Sequence, residues 1–112
     1  MTETPSRSDE DFGARVLSLV ETIPPGRVMT YGDVAAALGS RAARAVGQTM
    51  AYSGGEVPWW RVVRASGHPP LNHEQRALEQ YRVEGTPLLW SRDGVYRVDF
   101  ARARWSPGSD TE

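Results

Sequence analysis

The chain has 112 residues, enough for one domain with a modest core, and it contains no hydrophobic run long enough to span a membrane. The absence of cysteine excludes disulfides, thiolate metal sites and every cysteine nucleophile, and the two histidines, His68 and His73, lack zinc-site spacing, so we expect no metal or cofactor. The net charge of -1 is unevenly distributed: between Arg27 and Arg104 there are eleven arginines and seven acids, whereas acids dominate near the ends. The middle of the chain is therefore basic, which suits a nucleic-acid partner. We also expect a cytoplasmic protein, because the sequence shows neither a membrane span nor a secretory signal.

The first predicted element is an amphipathic helix. It follows a polar segment, residues 1–10, that is predicted to be a disordered tail. From Asp11 onward, apolar residues recur with the spacing of one helix face: Phe12, Val16, Leu19, Val20 and Ile23. The helix is predicted to stop at the prolines of residues 24–26.

Two short helices joined by a glycine come next. Thr30 is a suitable cap for the first of them, and Gly39 ends it. The second is predicted from Arg41 to about Tyr52, with Ser40 as its cap. Its inner side is small and apolar, whereas the outer side gathers Arg41, Arg44 and Gln48. This arrangement is typical of a helix-turn-helix, although the same small residues would also serve tight packing against protein.

The second half of the chain is predicted to contain a strand, a helix and a hairpin. Residues 60–64 are predicted as the strand, and Asn72 is predicted to cap a helix over residues 73–83. Residues 88–98 form a β-hairpin with an Asp-Gly turn, followed by a polar tail over 101–112. We therefore expect an α+β fold over residues 11–100, a small winged-helix-like domain with a helix-turn-helix and a C-terminal β-hairpin.

A tryptophan pair, Trp59 and Trp60, is the most unusual feature of the sequence. In a strand the two rings would point to opposite faces, so one would fill the core and the other would line a surface or a pocket. The surrounding segment, residues 57–63, resembles the active-site segment of the O6-alkylguanine-DNA alkyltransferases, with Trp59 where the reactive cysteine belongs. That replacement marks the alkyltransferase-like proteins, which bind O6-alkylated guanine in DNA and do not repair it.

The resemblance covers residues 12–90 and rests on four segments in the family's order: residues 23–35, residues 42–47, the Pro58-Trp59 segment and residues 83–85. It implies that the helix-turn-helix enters the minor groove of double-stranded DNA. Arg44 is then the finger that replaces a rotated-out guanine, a role that suits a planar guanidinium. Tyr31 presses on the neighbouring phosphate, Arg41 contacts phosphate, and the groove floor meets Ala42, Ala45 and Gly47. Without the resemblance, Arg44 would be an exposed phosphate contact and Tyr31 a core residue.

The same resemblance implies a lesion pocket without catalysis, formed by Trp59, Trp60, Arg61 and Val62. In the active enzymes the cysteine is activated through a histidine, a water and a glutamate. Here Trp60 takes the place of the histidine, and Glu84 stands at the position of the glutamate. An indole neither accepts an alkyl group nor relays a proton from a thiol, so no catalytic residue is expected.

Two departures from the family pattern bear on the shape of the pocket. Trp60 replaces a histidine that alkyltransferase-like proteins usually retain, and Ser53 replaces a hinge asparagine. An aromatic pocket of this kind is predicted to favour bulkier or less polar O6 substituents. The family further implies a monomer that hands its lesion to nucleotide excision repair. Two alternatives stay open: a winged-helix transcription regulator that binds undamaged DNA, and a decayed domain that acts through protein contacts alone.

Overall fold

The protein combines helices with two small sheets. The structure is a computed structural model that describes residues 5–108. Its elements in chain order are α1 (Pro5–Thr22), β1 (Met29–Thr30), α2 (Tyr31–Ala37), α3 (Ala43–Ser53), β2 (Val62–Val63), α4 (Glu74–Glu84), β3 (Leu88–Trp90), β4 (Tyr96–Val98) and α5 (Phe100–Ala103). Two short 3-10 turns, Gly54–Glu56 and Trp59–Arg61, connect α3 to β2. The predicted α+β class, with its helix-turn-helix and hairpin, is confirmed.

Helix α1 packs through the apolar face that its periodicity predicted. Val16 and Val20 are fully buried on that face. The helix begins at Pro5, so residues 5–10 of the predicted tail are helical instead. Proline suits the first turn of a helix because its missing N–H would have no partner there. The rest of the predicted tail, residues 1–4, lies outside the described residues.

Local capping signals account for the helix-turn-helix. Thr30 caps α2 as predicted: its hydroxyl accepts from the Asp33 amide at 2.9 Å, and the Asp33 carboxylate accepts from the Thr30 amide at 3.3 Å. Gly39 then takes a left-handed φ of 75°. Helix α3 starts two residues later than predicted, because Ser40 accepts from the Ala42 amide at 3.0 Å before the helix begins.

The tryptophan pair lies in a 3-10 turn and not in the strand predicted over residues 60–64. The turn is closed by the Arg61 amide, which donates to the Pro58 carbonyl at 3.0 Å. Only β2 is extended, and it pairs in parallel with β1. The rings of Trp59 and Trp60 therefore lie edge to face, with centroids 5.5 Å apart, instead of on opposite faces of a sheet.

The core has two parts, which meet at the β1–β2 sheet. Because side chains alternate along a strand, Val62 packs into the first part and Val63 into the second. The first part is built from α1, α2 and α3. The second is built from α4, the hairpin and α5, with Tyr81 as its largest fully buried side chain.

Helix α4 and the hairpin follow the prediction closely. The helix begins one residue late, and Asn72 does not cap it but occupies the preceding turn with a left-handed φ of 70°. In the hairpin, Trp90 lies opposite Tyr96, and Gly94 supplies the left-handed turn residue with a φ of 83°.

No helix among residues 5–108 is long and apolar enough to cross a membrane.

The segment after the hairpin corrects the predicted polar tail over residues 101–112. The Val28 amide donates to the Ala103 carbonyl, and the Trp105 amide donates to the Val28 carbonyl, each at 2.9 Å. Trp105 is only 5% exposed and belongs to the first part of the core. The domain therefore extends past residue 100 to at least Trp105, and residues 109–112 lie outside the described residues.

Candidate nucleic-acid interface

Helix α3 is anchored by its inner face and leaves its outer face exposed. Val46 is fully buried, whereas Arg41 and Arg44 are both exposed. Gly47 and Ala51 follow Arg44 by three and seven residues, so all three lie on one side of the helix. Both small residues line the cavity described below. Arg44 therefore lies on the side of α3 that reaches the cavity through Gly47 and Ala51, although it is not itself a lining residue.

The small residues predicted to meet the floor of the DNA groove lie on two flanks of α3. Ala42 and Ala45 line a shallow groove between α1 and α3, together with Gln48. Gly47 lies on the opposite flank and lines the cavity. These small side chains lie at the N-terminal end of α3, and they allow another surface to approach the backbone closely there.

A cavity of about 320 Å³ opens beside α3, on the side away from the shallow groove. This volume is at the lower end of the range of small-molecule sites. Its walls come from α2, α3, the two 3-10 turns, the loop after β2 and the start of α4. The lining residues are Tyr31, Gly47, Met50, Ala51, Gly54, Gly55, Trp59, Pro70, Leu71, His73 and Arg76.

Two aromatic side chains form walls of the cavity. Trp59 is half-buried, and its ring contacts the ring of His73 with centroids 5.5 Å apart. Tyr31, the first residue of α2, is half-buried as well. Burial raises the pKa of Tyr31, although the positive charge of Arg64 opposes the shift. The phenol therefore remains neutral, and a hydrogen-bond donor, at physiological pH.

The other three residues predicted for the lesion pocket lie behind it, which corrects the prediction. The Trp60 indole donates to a Glu84 carboxylate oxygen at 2.9 Å. The Arg61 guanidinium forms an ion pair with that carboxylate and also donates to the Ile23 carbonyl at 2.8 Å. Val62 is fully buried in β2. Of the four residues, only Trp59 lines the cavity, because the 3-10 turn directs its neighbours toward the core.

Glu84 is the centre of this buried polar cluster. One of its oxygens accepts from the Gly26 amide at 3.0 Å, and both accept from Arg61. Burial acts to raise the pKa of Glu84, but hydrogen bonds from Arg61, Gly26 and Trp60 outweigh it and lower the pKa overall. The carboxylate is therefore ionised at neutral pH, and both of its oxygens are engaged in holding the fold together.

Sequence reasoning missed the wall opposite α3. Pro70 and Leu71 come from the loop after β2, and His73 and Arg76 come from the start of α4. The loop is held by Arg64, which donates to the Pro69 carbonyl at 2.9 Å. The pair Pro69-Pro70 was a signal that the loop is fixed, but the approach of this loop to α3 depends on long-range packing.

Within the described side chains, no cluster of three or more His, Cys, Asp or Glu could hold a metal ion.

Comparison with known proteins identifies related sequences along most of the chain. A family model of the 6-O-methylguanine DNA methyltransferase DNA-binding domain matches residues 11–84. A DNA base-flipping protein of Escherichia coli strain K12 is 37% identical over 112 residues, covering 93% of this chain and 81% of that protein. Alkyltransferase-like protein 1 of Schizosaccharomyces pombe is 32% identical over 105 residues, covering 88% of this chain and 97% of that protein.

A solved structure shares the fold. It is the crystal structure of the Schizosaccharomyces pombe alkyltransferase-like protein in complex with damaged DNA containing O6-carboxymethylguanine. It superimposes on this chain with a TM-score of 0.77 at 31% sequence identity, covering 88% of this chain and 97% of that chain. The similarity therefore extends over nearly the whole of that protein.

Proposed function

This chain belongs to the family of the 6-O-methylguanine DNA methyltransferase DNA-binding domain, and on that basis we propose that it binds O6-alkylguanine in double-stranded DNA without repairing it. The helix-turn-helix docks in the minor groove, and the damaged nucleotide rotates out of the duplex into the cavity beside α3. The protein acts as a sensor of the lesion.

The observation that supports this proposal is that Arg44 shares one side of α3 with two residues that line the cavity. Gly47 and Ala51 lie on the same side of α3 as Arg44 and form part of the cavity wall. A base that leaves the stack can therefore enter the cavity while the arginine enters the gap that the base vacates. The guanidinium plane can stack on the neighbouring bases and donate to the unpaired cytosine.

The aromatic walls suit a flipped, alkylated base. The Trp59 ring offers a flat apolar surface for stacking, and Tyr31 offers a neutral hydroxyl. Alkylation at O6 removes the N1 proton of guanine and adds apolar surface. Both changes lower the cost of moving the base from water and from its cytosine partner into this cavity.

Alkyl transfer is excluded by the side chains present. The chain contains no cysteine, and Trp59 takes the position where the resemblance puts the alkyl acceptor. Trp60 offers an N–H donor in place of a proton acceptor, and that N–H is bonded to Glu84. Without a thiolate and its base, no group at this site accepts the alkyl substituent.

A lesion that is bound but not repaired requires a second activity. The protein therefore hands the marked site to nucleotide excision repair, which removes the damaged strand segment. We propose separately that the protein is a monomer and that it acts in the cytoplasm. Arg41 and the alanine face of α3 supply the contacts that hold the protein on the duplex while the repair machinery is recruited.

Competition binding to matched short duplexes tests the proposal. The duplexes contain either guanine or O6-methylguanine at one position, and salt is held constant because phosphate contacts make affinity steeply salt-dependent. The wild type is expected to prefer the lesion by about tenfold or more, which corresponds to about 1.4 kcal/mol. Arg44→Ala is expected to remove most of that preference, because the gap left by the flipped base is then unfilled.

Arg92→Ala is the matched control. It removes the same charge from the exposed hairpin turn, so it is expected to weaken binding to both duplexes equally, if at all. Equal affinity of the wild type for both duplexes would overturn the proposal. Selective binding to one undamaged sequence would favour the transcription regulator, and no binding at low salt would favour a domain that acts through protein contacts.

A further inference from the structure

The outer face of α3 carries a polar side chain to which the proposed docking gives no role. Gln48 is exposed, whereas Val46 is fully buried and Met50 packs against the same part of the core. At about 100° per residue, Gln48 lies almost opposite these two anchoring residues on the helix. Its amide is therefore directed away from the core.

Gln48 shares a stripe of the helix with other exposed side chains. Arg41 precedes it by seven residues, and Tyr52, which is 93% exposed, follows it by four. Both spacings place side chains one above the other on the same face of a helix. Arg44 lies one turn before Gln48, beside this stripe. The stripe is thus the part of α3 that lies nearest to the DNA when the helix docks as proposed.

In that complex Gln48 meets the floor of the minor groove close to the lesion. Arg44 fills the gap left by the flipped base, and Gln48 follows it by four residues, which is about 6 Å along the helix axis. Because base pairs stack about 3.4 Å apart, this distance corresponds to about two base pairs. Ala45 and Gly47, which flank Gln48, are too small to hold its amide away from the bases.

The glutamine amide matches the minor-groove edge of guanine better than that of the other bases. The amide places N–H donors beside a carbonyl acceptor. In the minor groove a G·C pair presents the N2 amino donor of guanine beside acceptors, whereas an A·T pair presents acceptors only. One amide can therefore form two hydrogen bonds with guanine, but its carbonyl stays unpaired against an A·T pair.

From this geometry we infer that Gln48 makes the protein prefer lesions that lie near a G·C base pair, because its amide binds the N2 amino group and the N3 atom of that guanine in the minor groove. The inference rests on the proposed function, since Gln48 meets the base edges only when α3 docks in the groove. It concerns the base pairs beside the lesion and not the alkyl group inside the cavity.

Duplexes that differ by a single amino group test the inference. Each contains O6-methylguanine, and the base pair at one position within two steps of the lesion, on either side, is G·C, inosine·C, A·T or 2,6-diaminopurine·T. Inosine is the guanine nucleoside without the amino group, and diaminopurine is adenine with it. At one position the wild type is expected to bind the two pairs that carry the amino group about fivefold more tightly than the two that lack it, the lower end of discrimination by a paired base contact.

The direction of this effect separates base contact from duplex stability. Removing the amino group also weakens the base pair, which by itself makes the neighbouring lesion easier to flip and tightens binding. The expected loss of affinity has the opposite sign. Salt is held constant across the series because phosphate contacts make affinity steeply salt-dependent.

Two variants on the same stripe then identify the residue. Gln48→Ala is expected to bring the ratio close to one and to keep the preference for O6-methylguanine over guanine, and alanine suits an exposed helix position. Arg41→Ala is the matched control. It removes an exposed side chain predicted to contact phosphate, so it is expected to weaken binding to all four duplexes equally and to leave the ratio at the wild-type value.

The outcomes distinguish this inference from the proposed function. A wild-type ratio of one at every position, together with a retained preference for O6-methylguanine over guanine, overturns the inference alone. A ratio that Gln48→Ala leaves unchanged also overturns it, because the preference then comes from the shape of the DNA. Absence of any preference for O6-methylguanine over guanine overturns the proposed function and the inference with it.

Discussion

Two adjacent tryptophans determine the chemistry of the site. Trp59 lines the cavity with an indole ring, which is not a nucleophile. Trp60 offers an N–H donor, which is already bonded to Glu84 at 2.9 Å, and no proton acceptor. Alkyl transfer at this site would therefore require both a nucleophile and a base, because either one alone lacks its partner.

A pair of variants tests this requirement. Trp59→Cys alone is expected to show negligible methyl transfer from an O6-methylguanine duplex, since a thiol with the ordinary pKa of about 8.5 is mostly protonated at neutral pH. The double variant Trp59→Cys with Trp60→His is expected to transfer at least about 100-fold faster, the lower range of general base catalysis. Transfer is measured as the mass increase of the protein, and equal rates for the two variants would contradict the argument.

The residues of the site divide by how local their signals are. Tyr31, Gly47 and Trp59 line the cavity, and the resemblance named all three because each lies in one of its short motifs. The role of Arg44 stays a prediction. Arg76 and its neighbours could not be identified in this way, because they reach the cavity only through the packing of α4 and the preceding loop against α3. The resemblance assigned Trp60 to the pocket, but the 3-10 turn directs its ring toward Glu84 instead.

The polar cluster around Glu84 connects three elements. Its carboxylate, at the end of α4, accepts from Gly26 in the loop after α1 and from Trp60 and Arg61 in the 3-10 turn. The side chains of Arg61 and Glu84 are 14% and 8% exposed, so water supplies little compensation when one partner is removed. This cluster holds the turn that presents Trp59 to the cavity.

Removal of the charge on Glu84 is expected to weaken the fold. Glu84→Gln leaves the Arg61 guanidinium without its counter-charge, and we expect a loss of about 2–3 kcal/mol in the free energy of unfolding. Urea unfolding followed by circular dichroism measures the loss. Glu79→Gln, which removes an exposed carboxylate from the same helix, is expected to change stability by less than about 0.5 kcal/mol. Similar losses in the two variants would show that the cluster contributes little.

The same cluster gives a pH dependence of known sign. The folded-state pKa of Glu84 is lowered, so its contribution to stability is complete above the unfolded value of about 4.3 and is lost as pH falls toward the folded value. The stability difference between wild type and Glu84→Gln is therefore expected to be constant near pH 7 and to shrink below about pH 4. A difference that grows on acidification would contradict this assignment.

At the level of elements, the sequence predicted the regular helices well and the connections less well. Helices α1 to α4 carry strong periodicity or capping signals, and the observed ends differ from the predicted ones by one or two residues except at the start of α1. The strand predicted over residues 60–64 is shorter because Pro58, whose carbonyl accepts from the Arg61 amide, favours a turn. The β1–β2 pairing joins segments more than thirty residues apart, which no local pattern predicts.

On the scale of the whole molecule, the chain closes on itself through its C-terminal segment. The segment after β4 reads as polar, with arginines and a few apolar residues. It nevertheless pairs with Val28, just before β1, and places Trp105 in the first part of the core. The apolar residues Phe100, Ala103 and Trp105 were the signal that it packs. This closure joins the part of the core beneath the helix-turn-helix to the part beneath the hairpin.

Because Trp105 lies in the core and Trp90 lies half-exposed on the hairpin, the two tryptophans offer a matched test of this closure. Trp105→Ala is expected to cost about 3–5 kcal/mol, the usual penalty for removing a buried aromatic side chain. Trp90→Ala, at 51% exposure, is expected to cost less than about 1 kcal/mol. Urea midpoints from far-ultraviolet circular dichroism measure both. Equal midpoints would mean that the C-terminal segment is dispensable for the fold, and the domain would then end near residue 100.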